Sequence, residues 1–427
     1  LSRFNLQTKI IPLEQVEFNF QSSTGFGYNK QFQNKGQFFD TNLEEINDYW
    51  EQAHLIKATP LWSVSGKEEY LKFKKINEQN QRCFEIPPVT FLSYALRVCQ
   101  SFNKQLYELY NDIPIKIGIP FARGGFHRFI TDFKNKFTIF GMGDVTKWDK
   151  DFHKYLREAC YRIRLQFCTT SEAQQRLKYI YSICLQIYCI LPWMQIVRIH
   201  QMGSGDPNTS SDNSLGHGIV FFSYINYMRP ELTTWIDILS IFSIQIYADD
   251  HLFATNDPEL ALFENREKFY KIMGFTLKKE DDRVQSSVEG LTFLGATVRK
   301  LGAYYVPEYD YSRSVSAMVI SHKILAPYEN YMRVYAFVFL SAFQKEEKFN
   351  FILTYLKFLV NYYCKLYGAH WFPKKFKLSR WRSILISNQL DINLEKGLPI
   401  IPDQKFCQDY WIGTEVDCDS SLQFHEQ

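Results

Sequence analysis

Long apolar runs are missing from this chain. The two most apolar stretches, 180–196 and 351–363, are broken by Gln186, Pro192 and Gln195 and by Lys357, so neither reads as a membrane span. No Cys-x-x-Cys pair and no His/Cys cluster at zinc spacing occurs. The nine cysteines, an odd number scattered from Cys83 to Cys418, fit reduced, mostly buried cytosolic thiols better than a disulfide framework. No secretory signal opens the sequence, and the first residue is Leu1 rather than Met, so the start is expected to be a processing site or an imposed boundary. Internal repeats, low-complexity segments and linkers are absent as well. Charge excess is small: 49 basic against 46 acidic residues give a net +3. That balance does not announce a nucleic-acid binder, yet it permits acids and bases to be segregated into a metal site and a basic channel.

What is abundant is aromatic and apolar. Hydrophobic residues make up 46% and aromatics 17%, with 27 Tyr and 37 Phe, which excludes general disorder. The 22% of charged residues suits a soluble protein, and 427 residues can form roughly three domain-sized lobes.

The stretch 244–254 is where chemistry concentrates. Two short β-prone runs flank Tyr247-Ala248-Asp249-Asp250, a hairpin pattern with two carboxylates at its tip. Adjacent like charges oppose each other's ionisation unless a divalent cation sits among them. A second pair, Asp281-Asp282, lies in a charged run and reads as solvated surface.

Upstream, 22–27 is a glycine-punctuated Ser-Ser-Thr-Gly-Phe-Gly loop, able to turn the chain or lie against phosphates. Lys67, Lys72, Lys74, Lys75 and Arg82, interleaved with Tyr70 and Phe73, suit a strand-like arm facing phosphates or an ordinary solvated face. The apolar spacing predicts a helix over 91–110. A β-type run at 137–140 leads to Asp144, and Asp149 opens a helix expected to continue through Phe152, Tyr155, Leu156 and Cys160. A helix is expected over 171–191, stopped by Pro192, with a strand over 193–202. A Gly/Pro-rich loop from Gly203 then enters a helix in which Thr209 and Asn213, four apart, share one face. An amphipathic helix is expected over 258–273, a short strand over 274–277 and a hairpin arm over 291–299. From about Ser314 the chain turns helical and aromatic, with a basic-aromatic patch over 372–382.

Three segments in this order, Asp144-x4-Asp149 after a strand, Ser204-Gly205-x3-Thr209-x3-Asn213 opening a helix, and Tyr247-Ala248-Asp249-Asp250 on a hairpin, resemble the RNA-dependent RNA polymerases of positive-strand RNA viruses. The likeness is closest to the picornavirus-like and astrovirus-like group. It implies an α+β right-hand polymerase fold of fingers, palm and thumb, with an antiparallel-sheet palm and a mainly helical thumb. The implied division is fingers over 1–135, palm over 136–165, a return to the fingers over 166–200, palm over 201–310 and helical thumb over 311–427.

The resemblance also implies a chemistry: template-directed RNA synthesis from ribonucleoside triphosphates with two Mg2+ or Mn2+ ions. Asp144, Asp249 and Asp250 would be the catalytic acids and, with Val145, the metal-holding residues; hard ions suit these oxygen donors. Asp149, Ser204, Thr209 and Asn213 would read the incoming 2′-hydroxyl. Lys67, Lys75 and Arg82 would hold the triphosphate. Ser23, Thr24, Gly25, Gly205, Phe293, Leu294 and Gly295 would meet template and primer. Lys278, Lys279 and Arg283 are candidates for the general acid. The implied partners are RNA template, nascent RNA, NTPs and other viral replication proteins, and the implied location is the host cytoplasm at membrane-associated replication complexes. Two features depart from the family pattern: Ala248 stands where Gly is usual, and the general-acid lysine has no clean counterpart because its aligned place falls near Asp282. A reverse-transcriptase-like polymerase, which shares Tyr-Ala-Asp-Asp, and an inactive RNA-binding relative are the alternatives.

Overall fold

The computed structural model describes residues 1, 3–67, 76–77, 82–232, 234–320, 325–368 and 401–413. Lys72, Lys74, Lys75, Tyr70 and Phe73 of the basic arm, and the 372–382 patch, lie outside the described residues. The chain is a mixed helix-and-sheet protein whose sheets are predominantly antiparallel. It forms two compact units, one of 1–119 with 137–286, the other of 120–136 with 287–427.

The first unit contains two four-stranded sheets. In one, β1 (Leu61–Gly66) lies between β2 (Cys83–Ile86) and β4 (Ile187–Ile190), and β5 (Ile196–Ile199) closes the edge. In the other, β3 (Ile139–Gly143) is flanked by β7 (Asp250–Thr255) and β8 (Arg283–Gln285), with β6 (Phe242–Tyr247) outside β7. β6 alternates buried and half-exposed residues, the period-two signature of a strand with one covered face. The covering element is the Thr209–Met228 helix: Val220, Phe221 and Tyr224 join Phe242, Ile244, Ile246 and Phe253 in the largest core. Gly141 belongs in β3 for a steric reason, because a Cβ there would come within 2.1 Å of the Phe253 ring.

A second core gathers around Trp62, Phe91, Tyr94, Leu177 and Ile180, where the Val89–Glu108 and Ser171–Cys184 helices pack together. The other unit pairs β9 (Thr292–Phe293), β10 (Ala296–Leu301) and β11 (Tyr304–Tyr309) and carries helices Pro327–Leu340, Glu346–Tyr367 and Gln404–Ile412 around Val334, Val338, Ile352 and Leu356.

Several sequence expectations need correction. The helix expected to run to 191 ends at Cys184, because Ile187–Ile190 is drawn into pairing with both β1 and β5. The helix that Asp149 was expected to open is two, Trp148–Asp151 and Lys154–Leu165, broken at Phe152 and restarted by the His153 side chain, which accepts from the Leu156 N–H. The helix over 258–273 divides at Leu262, whose backbone is extended. The 274–277 segment forms a single bridge, Val145 to Leu277, rather than a strand. Asp281-Asp282 is not all solvated surface: the Asp282 side chain is 7% exposed and takes both arms of the buried Arg266 guanidinium. No described helix is long and apolar enough to cross a membrane, and the described cysteines are thiols.

Candidate active site

Sheet register builds the centre. β3 pairs antiparallel with β7, Gly143 opposite His251, so Asp144 leaves the sheet beside the Asp249-Asp250 turn. Burial, reinforced by the Asp144 charge, pushes the Asp249 carboxyl up to about 6 although the residue keeps an exposed edge. Two acids from separate strands thus face one another in a place that favours a counter-cation. Lys278 supplies one: its ammonium donates to Asp144, and its backbone N–H donates to the Asp144 carbonyl at 3.0 Å. Burial pulls the Lys278 pKa down, but the Asp144 hydrogen bond and charge outweigh it and raise the value. Of the three lysine or arginine candidates, Lys278 meets the acids, whereas the Lys279 ammonium lies 5.8 Å from the Phe263 ring and Arg283 sits in β8 opposite Met142. Val145 turns its side chain into the core at 1% exposure and bridges Leu277.

Beside this centre lies a polar cluster. Asn213 donates to the Asp149 carboxylate at 2.6 Å, and its own side-chain oxygen is buried without a partner. Burial raises the Asp149 pKa, opposed by the Asn213 hydrogen bond and by the Arg82 and Lys67 charges. Lys67 and Arg82 come together because the Lys67 N–H donates to the Arg82 carbonyl at 2.7 Å, one position past the Gly66–Cys83 pair of β1 and β2. Thr209 is spent locally: its one hydroxyl proton has the Gly203 and Asp206 carbonyl oxygens as acceptors, 2.6 and 2.8 Å from the hydroxyl oxygen.

The loop entering this helix is held by residues the sequence reading missed. Glu85, 4% exposed, accepts from the Ser204 N–H and hydroxyl, both at 3.0 Å, and from Gln201 at 3.0 Å. Gly205 runs so close to that strand that a Cβ would sit 2.2 Å from the Glu85 carbonyl. Arg157 pairs with Asp206 at 2.6 Å and Arg164 with Asp212 at 2.8 Å, both pairs fully buried. The helical spacing of Arg157 and Arg164, a heptad apart, was the available signal. Ser23, Thr24 and Gly25 form a packed corner: Thr24 is fully buried, its carbonyl accepts from the Val89 N–H, and a Cβ on Gly25 would strike the Pro87 carbonyl at 2.3 Å. Lys35 braces that corner by donating to the Ser23 carbonyl at 2.7 Å, and burial pushes its pKa down to about 8. Phe293, Leu294 and Gly295 belong to the other unit, where Leu294 and Gly295, φ 53° and 74°, turn β9 into β10 and Phe293 packs against Phe129 at 5.5 Å.

Opposed carboxylates at the ends of two paired antiparallel strands thus lie near a buried amide with an unpartnered acceptor and two basic residues. Residues 2–359 match the family described as viral RNA-dependent RNA polymerase, and the chain belongs to that family. It is 23% identical over 316 residues to non-structural polyprotein 1AB of Turkey astrovirus 2, covering 70% of this chain and 19% of the polyprotein. Against polyprotein 1AB of Turkey astrovirus 1 the identity is 22% over 324 residues, 73% of this chain and 20% of that one. The genome polyprotein of Brome streak virus (strain German) matches at 24% over 306 residues, 68% of this chain and 32% of the polyprotein. The chain therefore spans about a fifth of the astrovirus polyproteins it matches.

Proposed function

We propose that this chain copies RNA from an RNA template by joining ribonucleoside triphosphates, replicating a viral genome in the host cytoplasm. The observation that carries the reading is the β3–β7 pairing that brings Asp144 to the Asp249-Asp250 turn inside a chain of this family. Asp144, Asp249, Asp250 and the Val145 carbonyl are oxygen donors, the type a hard divalent cation takes, and the raised Asp249 pKa marks a place where negative charge needs neutralising; among the described residues no three acids are grouped closely enough to hold an ion, so a cation would have to draw these donors together. Asp144, Asp249 and Asp250 would hold Mg2+ or Mn2+, which would supply charge neutralisation at the attacking 3′-hydroxyl and the leaving pyrophosphate.

The remaining work falls to the protein. Lys67 and Arg82, with Lys75 from outside the described residues, hold the triphosphate. Asn213 and Asp149 read the ribose. With its amide nitrogen committed to Asp149, the free Asn213 oxygen accepts from a 2′-hydroxyl, and a deoxynucleotide leaves that buried acceptor empty. Ser204 and Thr209 shape this cluster through their loop bonds. Lys278, already on Asp144, is the strongest candidate to deliver a proton to pyrophosphate. In this reading the β6-β7-β3-β8 sheet belongs to the palm, 1–135 and 166–200 to the fingers, and 311–427 to the thumb, with other viral replication proteins as partners at membrane-associated complexes. The same open acceptor argues against a reverse-transcriptase-like enzyme.

The test is primer extension on an RNA template with Mg2+, comparing NTPs with dNTPs. The wild type should prefer NTPs by at least about 100-fold, and Asn213→Ala should erode that preference by about tenfold or more. Equal use of both nucleotides by the wild type would remove the role given to Asn213 and Asp149.

A further inference from the structure

We propose that Ser214 and His217 are positioning residues that clamp the Tyr-Ala-Asp-Asp turn in its left-handed shape and so fix the direction of the Asp249 carboxylate; this rests on the polymerase reading above. Ala248 has φ 53°, a region that residues bearing a Cβ avoid. Both of its backbone polar groups are taken by side chains of one helix. Its N–H donates to the Ser214 hydroxyl at 2.9 Å, and His217 Nδ1 donates to its carbonyl at 2.7 Å. Ser214 and His217 are three apart on the Thr209–Met228 helix and therefore share a face.

Each clamp atom is itself oriented. The Ser214 hydroxyl donates its proton to the Ser210 carbonyl at 2.8 Å, leaving its lone pairs for Ala248. On the far side of the His217 ring, Nε2 accepts from the Tyr270 hydroxyl at 2.9 Å, which selects the tautomer with the proton on Nδ1. Burial pushes the imidazole down to about 4, consistent with a neutral ring. Trp148 and His251, with ring centroids each 4.8 Å away, wall the imidazole in. Asn213, one residue before Ser214, holds Asp149. One helical stretch thus sets both the ribose-side pair and the turn bearing Asp249, fixing the spacing between nucleotide and acid.

A merely structural network would lower the melting temperature without altering the turnover of folded protein. A positioning role lowers kcat at nearly constant nucleotide KM, because Asp249 placement matters most in the transition state. The experiment is steady-state RNA-primed extension by the full chain with Mg2+ and NTPs, with circular dichroism melts and Mn2+ binding by electron paramagnetic resonance in parallel. Ser214→Ala and His217→Ala should each reduce kcat by about tenfold with KM within about twofold. His217→Asn, whose amide nitrogen falls close to the place of Nδ1, should recover to within about threefold of wild type. Mn2+ affinity should weaken by about threefold in Ser214→Ala, a readout independent of turnover. Wild-type kcat and Mn2+ affinity in folded Ser214→Ala, or a His217→Asn no better than His217→Ala, would overturn the clamp. An inactive wild type would overturn the polymerase reading instead, and Mn2+ affinity would then decide the clamp alone.

Discussion

Removing the Asp282 carboxylate should be among the most damaging single changes in the first unit. Its partner Arg266 has a side chain 0% exposed, and the two meet through paired hydrogen bonds of 2.6 and 2.9 Å. A guanidinium cannot shed its charge at any working pH, so Asp282→Ala strands a buried cation. Breaking such a pair from one side costs about 3–5 kcal/mol. Two contacts survive the substitution: Arg266 still donates to the Ala261 carbonyl at 3.2 Å and still lies 4.5 Å from the centre of the Phe253 ring. Both contacts are already present in the wild type and cancel in the comparison, so they keep Arg266 in place and the expected cost stays at about 3–5 kcal/mol. The neighbouring Asp281 provides the control. Its side chain is 50% exposed and reaches Lys278 only at 3.9 Å, so Asp281→Ala should stay within about 0.5 kcal/mol. Urea unfolding followed by circular dichroism, compared at matched m-values, separates the two. Equal losses for both variants would refute the argument that burial, not charge, distinguishes the two aspartates.

Ala248→Gly should stabilise the fold by about 1 kcal/mol. The left-handed φ of 53° costs alanine about 1–2 kcal/mol, and the greater unfolded-state freedom of glycine takes back about 0.5–1 kcal/mol; the same urea titration measures it, and a destabilised variant would count against the strain. The pH dependence of Asp249 gives a sign as well. Its folded pKa of about 6 lies above the ordinary 3.8, so its contribution favours folding below about pH 4 and is lost as the pH rises through 6. At face value that loss is about 3 kcal/mol, and solvent screening of this exposed residue reduces it to about 1 kcal/mol. In EDTA, Asp249→Asn should therefore be more stable than wild type at pH 8 and level with it near pH 4. Added Mg2+ should stabilise the wild type and reverse the pH 8 difference.

The hairpin at the centre was legible because strand alternation and adjacent acids are local signals, and β6 and β7 fall on the expected runs. The helix opening at Thr209 was legible for the same reason. What sequence could not supply were effects of partners distant in the chain. The 187–190 run has the apolar density of a helix end, and pairing with β1 makes it a strand. Asp281 and Asp282 read alike until Arg266, sixteen residues upstream, is seen to bury one of them. Glu85 reads as one more charge after a basic arm, yet it is the acceptor that holds Ser204. Ala248 presents the subtler case: its departure from the usual glycine is visible in sequence, whereas the two side chains that hold it are visible only once the helix lies against the turn.

The central claim is that Asp144 and Asp249 form one catalytic centre. Its most direct test is single-nucleotide extension of an RNA primer-template with Mg2+ by wild type, Asp144→Ala and Asp249→Ala, each verified as folded and RNA-bound. Extension by the wild type and a loss of at least about 1,000-fold in either variant is the predicted result. Extension that survives either substitution would contradict it.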